Sequence, residues 1–209
     1  AESGLHDKIR GRAGSFDRAL SAARAVARLR KEAGKKVKLK IVFALSENNA
    51  GEVEAMLALA ENCGADALDV IPVHSDFIKA VKPENTGKSG VPAAIGFLIK
   101  AKKEGRKLDN SEAHLKLMEK HFRGEPNPVR CYAGYNSLVV DCFGQIFPCV
   151  PWNAFDKPAG NIGNAGLESF WKSAQYGETR KDIKKCRACY LNCQTELNLL
   201  FDGKYKGFH

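Results

Sequence analysis

"CYAGYNSLVVDCFGQIFPC", residues 131–149, opens and closes on cysteine, and between the two thiols it reads as a β-hairpin. Asp141 is placed to cap the turn, and Gly144 to take the positive φ that closes it. Such a hairpin brings Cys131 and Cys149 towards one end if the register permits. Farther on, "CRACYLNC" (186–193) puts three more cysteines into eight residues. Cys186-x2-Cys189 offers two thiolates from one tight turn, a spacing that suits sulfur ligation of zinc or of an iron–sulfur cluster. Between these groups, "LESFWKSAQYG" is expected to be a helix packed on the hairpin through Leu167, Phe170 and Trp171.

The whole chain has 209 residues, 44% of them hydrophobic, enough for a real core and one or two domains. No apolar run is long enough to span a membrane, and "AESGLHDKIR" is no secretory leader. The chain does not begin with Met, which suggests a fragment or a processed chain. Without a secretion signal, seven cysteines at close spacing favour metal over disulfides. The net charge of +9 raises nucleic-acid binding, but the lysines are spread across helices rather than gathered in a stripe with aromatics.

Residues 15–33 read as a helix with Ser15 as N-cap and Gly34 as stop. "VKLKIVFAL" (37–45) reads as a strand entering a buried sheet. The next helix has Asn49 and Glu52 as a capping box, buries Val53, Met56, Leu57, Ala60 and Cys63, and stops at Gly64. "ADALDVIPVH" (65–74) is a second strand, with His74 at its C-terminal end. This order is that of a parallel α/β sheet, yet two strands complete neither a barrel nor an open sheet. They leave an exposed edge, from which low stability of the isolated chain is expected. A loop over 75–90, helices near 91–104 and 110–122, and a Pro/Gly linker at 123–129 follow.

The cysteine pattern, C-x12-G-x4-C at Cys131, Gly144 and Cys149 followed by C-x2-C at Cys186 and Cys189, resembles the auxiliary-cluster domain of radical S-adenosylmethionine (radical SAM) enzymes. That domain is called SPASM with two auxiliary clusters and twitch with one. "PC" at 148–149, "GNI" at 160–162 and "LESFWKS" also resemble segments between its ligands. "HDKIRGRAGSFDRAL" and residues 41–74 resemble the stretch from after the fourth to the sixth strand of the radical SAM barrel. The resemblance implies an α/β chain: the C-terminal part of an incomplete (β/α)6 barrel over 1–80, a helical linker region over 81–128, and a small α+β twitch/SPASM domain with a β-hairpin over 129–209.

The family's C-x3-C-x2-C hallmark is absent, so cleavage of SAM by this chain alone is not expected, whereas the longer protein implied is an enzyme. A two-cluster domain of this family usually has more cysteines, and their shortage after Cys193 favours one auxiliary [4Fe-4S] cluster, as in twitch. Its expected ligands are Cys131, Cys149, Cys186 and Cys189, with Cys193 a fifth candidate; Cys142 is not required, and Cys63 belongs to a core. Arg10 stands where relatives place an arginine on the SAM carboxylate, and Trp152 is expected to shield the cluster. The implied partners are a small-molecule or peptide substrate and an electron donor such as flavodoxin or ferredoxin, in a reducing cytoplasm. Two other readings of the residues stay open: a structural zinc module, and a basic nucleic-acid-binding domain.

Overall fold

The computed structural model describes residues 2–73, 90–154 and 156–203. His74 and nearly all of the expected 75–90 loop lie outside the described residues. The described chain forms two compact units, residues 2–73 with 90–122 and residues 123–203. The architecture is mixed α/β with small sheets. Among the described residues no helix is long and apolar enough to cross a membrane.

In the first unit, helix α1 (Ser3–Arg10) leads into α2 (Ser15–Glu32), followed by strand β1 (Lys40–Leu45), helix α3 (Val53–Asn62) and strand β2 (Ala67–Pro72). The two strands pair in parallel, with Lys40 opposite Ala67 and Leu45 opposite Pro72. Helices α4 (Val91–Lys103) and α5 (Glu112–Phe122) complete the unit. Leu57, Leu68, Ile95, Leu98, Leu115 and Met118 form one core, so α3, β2, α4 and α5 are held by the same apolar burial. Cys63 belongs to that core, its thiol donating to the Ala60 carbonyl at 3.3 Å.

The sheet is not buried on both faces as expected. Phe43 and Leu45 of β1 point into the core, whereas Val42 is 58% exposed. The outer edge of β1 has no strand partner among the described residues. The far edge of β2 is occupied instead: Leu68 exchanges backbone hydrogen bonds with Lys107 and Asp109. The Asn110 amide then both donates to the Val70 carbonyl and accepts from its N–H, each at 2.8 Å.

Two expected caps are corrected. Ser15 is not the N-cap of α2; Gly14 holds that position with φ +71°, and the orphan N–H groups go to Asp7. The Asp7 carboxylate accepts from Gly14 N at 2.5 Å, Phe16 N at 2.9 Å and Ser15 Oγ at 2.8 Å. Asn49 does not cap α3 either. Its side chain accepts from Ser46 N and donates to the Ala44 carbonyl, tying down the exit of β1. In both places a polar side chain satisfies backbone groups of a different element, which local spacing does not reveal.

The second unit contains the expected hairpin. Strand β3 (Val139–Val140) pairs antiparallel with β4 (Gln145–Phe147), and β5 (Gly160–Asn161) adds a third strand that the sequence did not signal. Asp141 Oδ1 accepts from Phe143 N and Gln145 N, and Gly144 closes the turn at φ +76°. Helix α6 (Val150–Ala154) follows β4, and α7 (Ile162–Lys172) follows β5. The expected single helix breaks at Ser173, whose extended backbone and hydroxyl begin α8 (Ala174–Lys185). Phe170 and Trp171 pack with Ile146 and Tyr176 as expected, but Leu167 is 41% exposed and does not join them. Helix α9 (Asn192–Phe201) ends the described unit.

Two outcomes follow from these contacts. A Cβ at Gly160 would overlap the Phe170 ring, so Gly160→Ala is expected to destabilise the second unit by about 1–3 kcal/mol, read as a shifted denaturant midpoint. In the first unit, Arg30 and the Leu39 N–H hold the Asp66 carboxyl down to about 2. A depressed folded-state value stabilises above the ordinary carboxylate pKa of about 3.9 and loses that contribution as pH falls towards 2. Asp66→Asn is therefore expected to lower the melting temperature at neutral pH and to flatten its decline between about pH 4 and pH 2.

Candidate metal centre

Five of the six cysteines of the second unit enter the site, each from a defined local structure. Cys131 precedes the hairpin, and the next residue's N–H donates to Asn198 Oδ1 at 2.8 Å. Cys149 ends the hairpin, one residue beyond the end of β4 at Pro148 and directly before α6. Cys186 terminates α8 with extended backbone, its N–H on the Ile183 carbonyl. Cys189 lies in the following loop, which Asn127 staples: its N–H donates to the Arg187 carbonyl and its side-chain amide to the Cys189 carbonyl, both at 2.9 Å. The buried Tyr190 anchors the same loop through its hydroxyl on the Glu125 carbonyl. Cys193 sits in the first turn of α9.

These five thiols line one cavity of about 380 Å³. Much of the remaining wall is apolar, and Trp152 is part of it. Cys193 is exposed, whereas Cys131, Cys149, Cys186 and Cys189 are half-buried. Cys142, in the exposed hairpin turn, does not line the cavity.

Burial sets the electrostatics. It pushes the Cys149 thiol up to about 11 and the Cys189 thiol up to about 12, and charge on the neighbouring cysteines of the cavity adds to the rise. Burial raises Cys131 as well. Against this, each of the three receives a backbone N–H from two or three residues downstream: Ala133 for Cys131, Trp152 for Cys149 and Leu191 for Cys189. The Asn198 amide also supports Cys131. Its carbonyl oxygen is taken by Tyr132 N and by Gln194 Nε2, each at 2.8 Å, which leaves the NH2 group free to face the sulfur.

The donor set fits a soft, thiolate-loving metal group. One zinc ion, with Zn–S near 2.3 Å, would draw its four sulfurs to about 3.8 Å from one another. Among the described residues, no group of three or more His, Cys, Asp or Glu is so gathered.

Arg10 occupies a different setting. It is exposed in the last turn of α1 and lines a cavity of about 540 Å³ in the first unit, together with His6, Asn49 and residues of β1. His6 packs edge-on against Phe16, and its Nδ1 lies 3.1 Å from Ser15 Oγ, an orienting role for the turn between α1 and α2.

Residues that sequence reasoning missed are Asn127 and Asn198. Nothing in the mixed sequence of α9, NCQTELNLLF, singles out Asn198; the signal is its burial, shared with Gln194 and Thr195.

Residues 131–194 match the family model for SPASM, an iron–sulfur cluster-binding domain. No curated protein and no solved structure matches the chain. The matched segment contains all five cavity-lining cysteines, and the match is consistent with the C-terminal SPASM domain of a radical SAM enzyme.

Proposed function

We propose that the second unit holds a single auxiliary [4Fe-4S] cluster through Cys131, Cys149, Cys186 and Cys189, in support of radical-based modification of a peptide or small-molecule substrate. The convergence of thiols from the hairpin, the end of α8 and the loop after it on one cavity carries this reading. Cys193 is the fifth thiol and the spare, being exposed where the other four are half-buried. When bound, the cluster supplies one-electron chemistry.

The chain's own residues do the rest. Backbone N–H groups of Ala133, Trp152 and Leu191 stabilise sulfur charge, Trp152 limits access of water, and Asn127 fixes the Cys189 loop. Ligation requires thiolates that burial otherwise disfavours, so assembly releases protons. Cleavage of SAM belongs to a part carrying C-x3-C-x2-C, which residues 1–209 lack. In the longer protein Arg10 would hold the SAM carboxylate. An electron donor of the flavodoxin or ferredoxin kind and a reducing cytoplasm complete the proposal.

Anaerobic reconstitution tests it. About four iron and four acid-labile sulfide per chain are expected. Cys149→Ala and Cys189→Ala should each lose most of that iron, and Cys193→Ala should retain it. Zinc without sulfide would replace the cluster by a structural clamp. Alkylation followed by mass spectrometry provides a second check. In the unloaded chain the exposed Cys142 and Cys193 should react before Cys149 and Cys189. After loading, Cys193 should stay reactive while the four ligands are protected.

A further inference from the structure

The first unit has an open concavity of about 810 Å³ where the end of α2 turns towards β1. Arg28, Arg30, Lys31, Lys35, Lys36 and Lys38 line it, and Asp66 is the only carboxylate in the lining. Lysines that read in sequence as spread across helices are here gathered on one surface.

The backbone that carries them is fixed. The Gly34 N–H donates to the Lys31 carbonyl at 3.2 Å and the Lys35 N–H to that of Arg30 at 2.9 Å, a glycine turn at φ +61° that closes α2. The Arg30 guanidinium donates to the Val37 carbonyl at 2.6 Å and to the Gly64 carbonyl at 2.8 Å, and it pairs with Asp66. The Asp66 carboxylate also accepts from the Leu39 N–H at 2.7 Å. The segment is thus pinned at Lys35, Val37 and Leu39, while Lys35, Lys36 and Lys38 are exposed on it. Asp66 is spent on Arg30. Among the described residues, Lys31, Lys35, Lys36 and Lys38 have no ion-pair partner, and Arg28 has the exposed Glu32 at 3.8 Å. The dipole of α2 accounts for Arg30 and Lys31 in its last turn, but not for the three lysines beyond it. Like charges held together repel one another, and an anion that neutralises them removes that cost.

We infer that this concavity is a docking site for an acidic segment of a partner protein. Carboxylates on a protein suit it better than other polyanions do. Lysine heads are compact point charges, whereas the fork of Arg30, which would match a phosphate, is already spent. No aromatic residue lines the surface, so nucleic-acid bases have nothing to stack on. The surface is concave, where a bilayer is flat. Val37 lies in the lining and is 53% exposed, which gives a protruding segment an apolar contact between the charges. Attraction of this kind speeds encounter and fixes register, and salt screens it. The inference stands apart from the cluster reading.

The test titrates the 1–209 chain into a fluorescently labelled glutamate-rich peptide at low salt and reads anisotropy. The Lys35→Gln/Lys36→Gln/Lys38→Gln variant is compared with a control of equal net charge, Lys8→Gln/Lys184→Gln/Lys185→Gln, whose lysines are exposed elsewhere. Wild-type binding that weakens about tenfold or more in the first variant, and less than about threefold in the control, is expected. Lys36→Gln alone should give part of the loss, and every variant should melt close to the wild type, since the substituted side chains are exposed. Equal losses in the two triple variants would reduce the effect to net charge and overturn the inference. Absence of binding at low salt would also overturn it, leaving a solvated basic face. A preference for a labelled oligonucleotide or for phosphatidylserine vesicles over the peptide, lost in the first variant, would overturn it in favour of a nucleic acid or a membrane. None of these results bears on the iron and sulfide assay of the cluster.

Discussion

Five thiols share one small cavity, and most of them are shielded from water. Thiolates so confined lose hydration and also repel one another, which pushes the Cys149 and Cys189 thiols well above the ordinary range. The second unit is organised around this constraint. Its loops bring N–H groups rather than carbonyls to the sulfurs, and its polar side chains are spent on holding those loops. Asn127 staples the loop of Cys186 and Cys189, while Asn198 and Gln194 hold the segment of Cys131. A positively charged metal group would turn the mutual repulsion of such thiolates into ligation.

Arg180 links this arrangement to the small sheet. Its guanidinium lies over Trp171 and Tyr176 at 4.4 and 4.5 Å while bonding the carbonyls of Gly134 and Trp171. One side chain thus joins α7, α8 and the segment between Cys131 and the hairpin. A lysine would keep the charge but not the planar stack with two directed bonds. The packing of α7 and α8 on the sheet and the placement of the cysteines consequently depend on the same few contacts.

The legible parts of the fold were those set by neighbours in sequence. The Asp141–Gly144 turn, the apolar stripe from Val53 to Cys63 and the parallel pairing of β1 with β2 all follow from short-range spacing. What was not legible depends on distant partners. Asp7 caps a helix that begins at Ser15, and β5 exists because Gly160 lets the Phe170 ring lie against its backbone. The break at Ser173 was hidden because its serine reads equally well within a helix or before one. At the site, the cysteines announced themselves by spacing, whereas Asn127 and Asn198 look like ordinary loop and helix residues until the backbone closes around them.

The closed edge of β2 gives the first unit a direction. Leu108 and the Asn110 amide fill the hydrogen-bonding row that a further strand would need on that side. Residues 40–45 have no such cover among the described residues. The sheet therefore acts as a one-sided template: any extended segment that lengthens it, from this polypeptide or another, must add alongside Lys40–Leu45. The two edges, so alike in hydrogen-bonding capacity, are in this way unequal as sites of growth.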